Sequence, residues 1–295
     1  MPPRPDRRDS PDRITRGKTA PNRLRRVDAF VAAYDPALLR RRDGAYATAC
    51  VVDLGYGAEP VTTLEMAARL RRVSAGLPVV GVEIDPERVA RAQPCADALT
   101  KFVEGGFDLP VGPVRLLRAF NVLRQYEETE AAPILARLVA QVLPGGLVID
   151  GTSDPYGRVW TASLLRRGDA GRAEGGTDGS ATDAGATPGD ADAATLEALV
   201  LGTNFRGGLD PDAFQTRLPK CFIHRVVPGD PVGAFVDDWK ASCRDTRASE
   251  VWGPRAWFTA AAGALTARGW AVMRPDSWPR RGWLVVREPG LPLVR

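Results

Sequence analysis

Asp53, Gly55, Gly57 and Glu83 are the residues whose types and spacing suit chemistry. They lie in two segments, Val51-Val52-Asp53-Leu54-Gly55-Tyr56-Gly57-Ala58-Glu59-Pro60 and Val79-Val80-Gly81-Val82-Glu83-Ile84-Asp85-Pro86. The first reads as a buried strand ending in a carboxylate, then a tight glycine turn and a helix opening at a proline. The second is another strand ending in acid, one βαβ unit further on. Two parallel strands that each close with a carboxylate describe a nucleoside-binding crevice at their C-terminal ends. Gly55 and Gly57 permit positive φ and close approach of the backbone to a ligand. Asp53 is placed to orient the loop or to meet a ligand ammonium.

A nicotinamide site needs a third glycine, so that pyrophosphate can sit on bare backbone at a helix N-terminus. Pro60 stands there instead, with Glu59 at the mouth of the helix. A carboxylate suits the helix dipole but repels pyrophosphate, and Asp53 adds to that charge. An adenosyl ligand with positive charge and no phosphate fits better, and S-adenosylmethionine (SAM) is one. Asp53-x-Gly55-x-Gly57 followed by Gly81-Val82-Glu83-Ile84-Asp85 resembles motifs I and II of the class I SAM-dependent methyltransferases. Leu138–Ile149, with Pro144-Gly145-Gly146, resembles that family's helix, Pro-Gly-Gly loop and fifth strand. The resemblance covers residues 48–160 well and the stretch from 196 onward more weakly. It departs at Glu59, where the family usually has a glycine.

The resemblance implies an α/β, Rossmann-like, seven-stranded and mostly parallel sheet with helices on both faces and a C-terminal antiparallel hairpin. It gives Glu83 the ribose hydroxyls and makes Asp53, Gly55 and Gly57 the loop beside the methionine moiety. An acid after the third strand, Asp108, is then the adenine contact, with Phe107 against the ring. The alternative for Asp108 is an ordinary turn. Asn121, Arg124 and Tyr126, after the fourth strand, stand where the methyl donor faces its acceptor, and capping or surface roles are their alternatives. The segment lacks the Asn-Pro-Pro-Tyr signature of amino-methylating nucleic-acid enzymes. Asp85 before Pro86 reads as a helix N-cap. His224 follows an apolar triplet that reads as a half-buried strand, and is expected to be structural more than a general base.

Stepwise along the chain, residues 1–26 form a basic, proline-rich tail expected to be disordered. Residues 27–166 form the ligand-binding core, 167–195 a Gly/Ala/Asp-rich flexible loop, and 196–295 complete the sheet and form the acceptor side. Helices are predicted over Val27–Arg41, Pro60–Val73, Glu128–Leu143, Tyr156–Arg166, Asp210–Leu218, Val232–Cys243 and Ala256–Arg268. Strands are predicted over Ala49–Asp53, Pro78–Glu83, Thr100–Val103, Val114–Phe120, Leu147–Asp150 and Leu196–Asn204, with Trp270–Arg274 and Gly282–Arg287 as the closing hairpin.

The chain's 295 residues suffice for one large α/β domain, and 44% apolar with 26% charged residues is ordinary for a globular protein. Four cysteines without a C-x-x-C pair and a single histidine argue against a zinc site. No segment has the length of a membrane span and the arginine-rich start lacks an apolar signal core, so a cytoplasmic location is expected. The tail's charge leaves nucleic-acid contact open, although no aromatics are interleaved with it. Three functions follow: methyl transfer from SAM to a small-molecule acceptor; a non-catalytic SAM-binding regulator or scaffold; and, furthest from the motifs, an NAD(P)-dependent oxidoreductase.

Overall fold

The computed structural model describes residues 20–168 and 195–293. The expected loop 167–195 and the first nineteen residues of the tail therefore lie, but for a few positions at the loop's ends, outside the described residues. In chain order the elements are α1 (Arg25–Tyr34), α2 (Pro36–Arg40), β1 (Cys50–Leu54), α3 (Val61–Leu70), β2 (Val79–Glu83), α4 (Pro86–Ala92), β3 (Thr100–Glu104), β4 (Val114–Phe120) and α5 (Glu128–Gln141). There follow β5 (Val142–Ser153), β6 (Val159–Arg166), β7 (Thr195–Thr203), α6 (Asp212–Gln215), α7 (Lys220–Ile223), α8 (Pro231–Asp245), α9 (Pro254–Ala267) and β8 (Trp283–Arg287).

The strands form one sheet in the order β3-β2-β1-β4-β5-β6-β7-β8. The first five are parallel neighbours. Their order reverses between β1 and β4, which is the switch point where open α/β sheets take their ligands. From β5 onward the chain runs as an antiparallel meander. The Rossmann-like α/β fold stands, with eight strands where seven were expected. α1–α3 pack on one face, and α5 with α6–α9 on the other.

β1, β2 and β4 are buried along their whole length, as the covered strands of a parallel sheet should be. The expected helix Val27–Arg41 breaks at Asp35, because the residue before Pro36 is driven out of helical geometry. The Asp35 carboxylate then caps α2 by accepting from the Leu38 amide at 2.9 Å. α1 begins at Arg25, so the end of the expected disordered tail is folded.

Three further expectations give way. Tyr156–Arg166 is mostly strand β6, not helix. Trp160, Ala162 and Leu164 face the α1 side, while Thr161, Ser163 and Leu165 are buried on the other. A period of two in which both faces are covered loses its polar contrast. Trp270–Arg274 adds only a single bridge, Val272 to Val286, so the hairpin partner of β8 is β7. The triplet before His224 is helix α7, not strand. Trp160, Trp239, Trp257, Trp278 and Trp283 are buried in the core, whereas Trp252 is exposed. Trp160, Trp278 and Trp283 surround Phe30 at ring-centroid distances of 5.6, 5.9 and 5.6 Å, in tilted and edge-on geometries worth about 0.5–1.5 kcal/mol per pair.

Candidate active site

The loop after β1 is held by the neighbouring strand. Gly55 and Gly57 take φ of +66° and +91°, which a side chain would resist. The Gly55 amide donates to the Val82 carbonyl at 2.8 Å, and the Gly57 amide donates to Glu83 Oε2 at 3.0 Å. Glu83, fully buried, also accepts from the Ile84 amide at 3.1 Å, and Arg88 Nη1 lies 3.7 Å away. These two glycine amides are thus taken, and neither is left for pyrophosphate. Pro60, at the N-cap of α3, has no N–H to offer. Asp85 caps α4 by accepting from the Glu87 amide at 2.9 Å, which divides the two acids as their positions suggested.

The sequence hid the partner of Asp53. Arg118, in the middle of β4 and fully buried, donates to Asp53 Oδ1 from Nε at 3.1 Å and sets Nη2 2.8 Å from Oδ2. Thr62 and Thr63 donate their hydroxyls to Oδ2 at 2.9 Å each. The other arm of Arg118 reaches Asp28 of α1, which Arg69 also contacts at 2.7 Å. Burial by itself would lower the Arg118 pKa; Asp53 and Asp28 outweigh it and hold the guanidinium charged. Asp53 is therefore neutralised, and Glu59 is exposed. Acidic charge alone does not select the ligand here.

The end of β4 completes the pocket. Asn121 adopts φ +60°, rare for a residue with a side chain. Its Oδ1 accepts from the Ser153 amide at 3.1 Å and its own amide donates to the Gly151 carbonyl at 2.7 Å. A cavity of about 30 Å³ lies here, and its lining includes Asp53, Gly55, Tyr56, Asn121, Arg23 and Leu24. The structure thus brings Asp53, Gly55 and Asn121 together, with Gly57 and Glu83 tied to the same loop. Tyr56 sits edge-on to Phe102 at 5.5 Å, and its buried hydroxyl has no hydrogen-bond partner. Burial, then the Glu83 and Asp53 carboxylates, raises its pKa.

Other expected contacts go elsewhere. Asp108 is exposed and paired with Arg137 of α5 on the outer surface. Arg124 is exposed and donates to the Thr216 carbonyl at 3.2 Å. Tyr126 is buried with its ring 5.2 Å from Phe107, which serves the core in place of an adenine. His224 is exposed at the end of α7, with Nε2 3.2 Å from Lys220 Nζ. Arg118, Arg23 and Tyr56 were missed. An arginine inside an apolar strand was itself the signal for Arg118, since a buried charge requires a partner.

Two features lie off the crevice. Asp150 of β5 is buried, its Oδ2 has no partner, and burial pushes its pKa up to about 7. Ser163, directly across in β6, is likewise buried with an unpartnered hydroxyl. A roomier cavity of about 380 Å³ lies among α6, α8 and α9, lined in part by Lys240, Arg244, Arg247 and Trp257. Lys240 and Arg247 are paired there with Asp212 and Glu250. None of the glycine and acid motif residues reaches it, so its size does not make it the site of the chemistry.

No protein-family model matches the sequence, and no curated protein matches it. Solved structures do. The CcbJ methyltransferase from Streptomyces caelestis is 19% identical with a TM-score of 0.33, over 53% of this chain and 72% of that one. The magnesium protoporphyrin IX methyltransferase from Synechocystis PCC 6803, with bound SAH (S-adenosylhomocysteine), is 19% identical with a TM-score of 0.32, over 44% and 54%. The plantazolicin methyltransferase BpumL, in complex with a pentazolic desmethylPZN analog and SAH, is 10% identical with a TM-score of 0.34, over 45% and 48%. The chain thus spans about half the length of the second and third. Scores this low say nothing about activity: this chain is similar to these methyltransferases over roughly half its residues.

Proposed function

We propose that the chain binds SAM at the β1–β4 switch point and transfers its methyl group to a small-molecule acceptor. The observation that carries this reading is the buried Glu83 carboxylate locked onto the Gly57 amide. It leaves an acid facing a turn whose two glycine amides are closed to phosphate. The resemblance of the sequence motifs supports the same ligand. A carboxylate at this strand end offers two acceptor oxygens, which suits the two ribose hydroxyls. Bound SAM would supply an electrophilic methyl on a sulfonium. The chain's part is alignment: the Gly55 turn and the strained Asn121 fix the two sides of the pocket, and Phe120 and Leu54 exclude water from it. Transfer would form the methyl–acceptor bond as the carbon–sulfur bond breaks, with SAH and the acceptor's displaced proton as the other products.

A second reading is a SAM-binding module without transfer. It is favoured by the acceptor side, where Arg124 and Tyr126 are engaged in structure. Incubation with SAM carrying a labelled methyl group and a panel of small-molecule phenols, amines and carboxylates separates the two. Label on a small molecule supports transfer. SAH binding with no labelled product across the panel supports the module. Binding of NADH without SAH overturns both.

A further inference from the structure

We infer that Arg124 and Arg217 form a fork for an anionic group, so that the small molecule held there carries a carboxylate or a phosphate; calling that molecule the methyl acceptor rests on the proposed transfer from SAM. Arg124 lies in the short turn Leu123–Gln125 after β4, and Arg217 follows α6. Both reach Thr216. Arg124 Nη1 donates to its carbonyl at 3.2 Å. Arg217 Nη1 donates to its hydroxyl at 3.0 Å and to the Ala213 carbonyl at 2.7 Å. The register of β5 and β6 fixes where they stand. Thr161 of β6, which donates its hydroxyl to the Arg217 carbonyl, pairs with Thr152. The next residue along β5, Ser153, donates its amide to Asn121. The two arginines are therefore at the C-terminal ends of β4 and β5, the end of the sheet that carries Asn121 and the Gly55 turn.

Two guanidiniums gathered on one residue repel each other unless an anion joins them. The acceptors they have are neutral oxygens, and neither pairs with a carboxylate among the described residues. Arg124 commits a single nitrogen to Thr216 and keeps most of its five N–H donors, while Arg217 Nε is buried with no partner. Burial, then the Arg217 charge, lowers the Arg124 pKa, and no carboxylate opposes them. Buried arginines elsewhere in the molecule are satisfied in one of two ways. Arg118 has Asp53 and Asp28, and Arg225 has Asp230. Arg115 spends its donors on the carbonyls of Ala49, Leu38, Leu39, Arg41 and Tyr46. Arg124 and Arg217 have neither arrangement. A carboxylate or phosphate set between them accepts from both in charge-assisted bonds and turns their repulsion into attraction. An uncharged guest leaves that repulsion in place.

The test follows the arginine Nε–H resonances of the full, isotopically labelled chain in the presence of SAH, as sodium phosphate or sodium benzoate is added. Arg124→Ala and Arg217→Ala each identify one resonance by its loss. The two signals should move together and saturate with a Kd of about 1–10 mM, and the tighter anion shows whether the guest's group is a phosphate or a carboxylate. Sodium chloride at the same ionic strength should give no saturation, and Arg72, exposed beyond α3, should not respond. Either alanine variant should weaken the anion at least about 10-fold, as for a lost charge-assisted bond, and leave SAH affinity unchanged by calorimetry. Arg124→Lys should fall between, since lysine keeps the charge and loses the planar fork. No saturable shift with either anion, an equal response at Arg72, or undiminished binding in both variants would overturn the fork while leaving SAM binding standing. Anion binding at the fork in a chain that does not bind SAH would instead sink the SAM reading, and with it the assignment of the guest as a methyl acceptor.

Discussion

Asp53 and Asp150 sit on one sheet, near the end of β1 and within β5, and each is 2% exposed. Their surroundings differ completely. Asp53, in the parallel half, has a guanidinium and two threonine hydroxyls on its oxygens. Asp150 borders the antiparallel half and its Oδ2 has none. A buried carboxylate needs partners: the Asp53 oxygens have a guanidinium and two hydroxyls, while burial with no partner on Oδ2 pushes the Asp150 pKa up to about 7. The parallel half holds its buried charges in one ion-pair network. The antiparallel half packs aromatic rings and tolerates one silent acid.

The largest effect is expected from Arg118. Replacing it by methionine leaves Asp28 and Asp53 buried with fewer partners, and should cost about 3–5 kcal/mol in urea unfolding. A loss under about 1 kcal/mol would mean that the triad is no more than well-tolerated packing. Asp150→Asn should act in the opposite direction. Asp150 holds its proton in the folded chain up to about pH 7, whereas an unfolded aspartic acid releases it near 3.9. Between about pH 4 and pH 7 the folded state therefore binds more protons, so stability falls as pH rises through that window and levels off above it. Asp150→Asn should flatten that decline and stabilise the protein at pH 8 by about 2–4 kcal/mol, in urea titrations at pH 5 and pH 8. An unchanged slope would show that Asp150 finds a partner in solution. Asp85→Ala removes only an N-cap and should cost about 1 kcal/mol, read from the thermal melt.

The same contrast decides what the sequence revealed. β1 and β2 are apolar runs that close on Asp53 and Glu83, with Gly55, Gly57 and Asp85 in the turns after them, so these strands and turns were legible, whereas β4 carries Arg115 and Arg118 among its apolar residues. β6 was not legible, because Thr161 and Ser163 are as buried as Trp160 and Ala162 and erase the alternation that marks a half-exposed strand. Its turn is Ser153-Asp154-Pro155-Tyr156-Gly157, where Asp154 binds the amides of the hairpin. Asp108 was misread because spacing after a strand does not say which way a loop side chain points; Arg137, an α5 residue, takes it to the surface. Arg118 and Arg23 are long-range partners of the site, and their distance in sequence from Asp53 and Ser153 left no local periodicity to read.

The central claim is that Glu83 and its glycine turn form the adenosyl site, and SAH affinity in Glu83→Ala and Asp85→Ala tests it most directly. Calorimetry should show SAH bound by the unaltered chain, weakened at least about tenfold by Glu83→Ala and nearly unchanged by Asp85→Ala. Full affinity in Glu83→Ala, or a loss confined to Asp85→Ala, would contradict it.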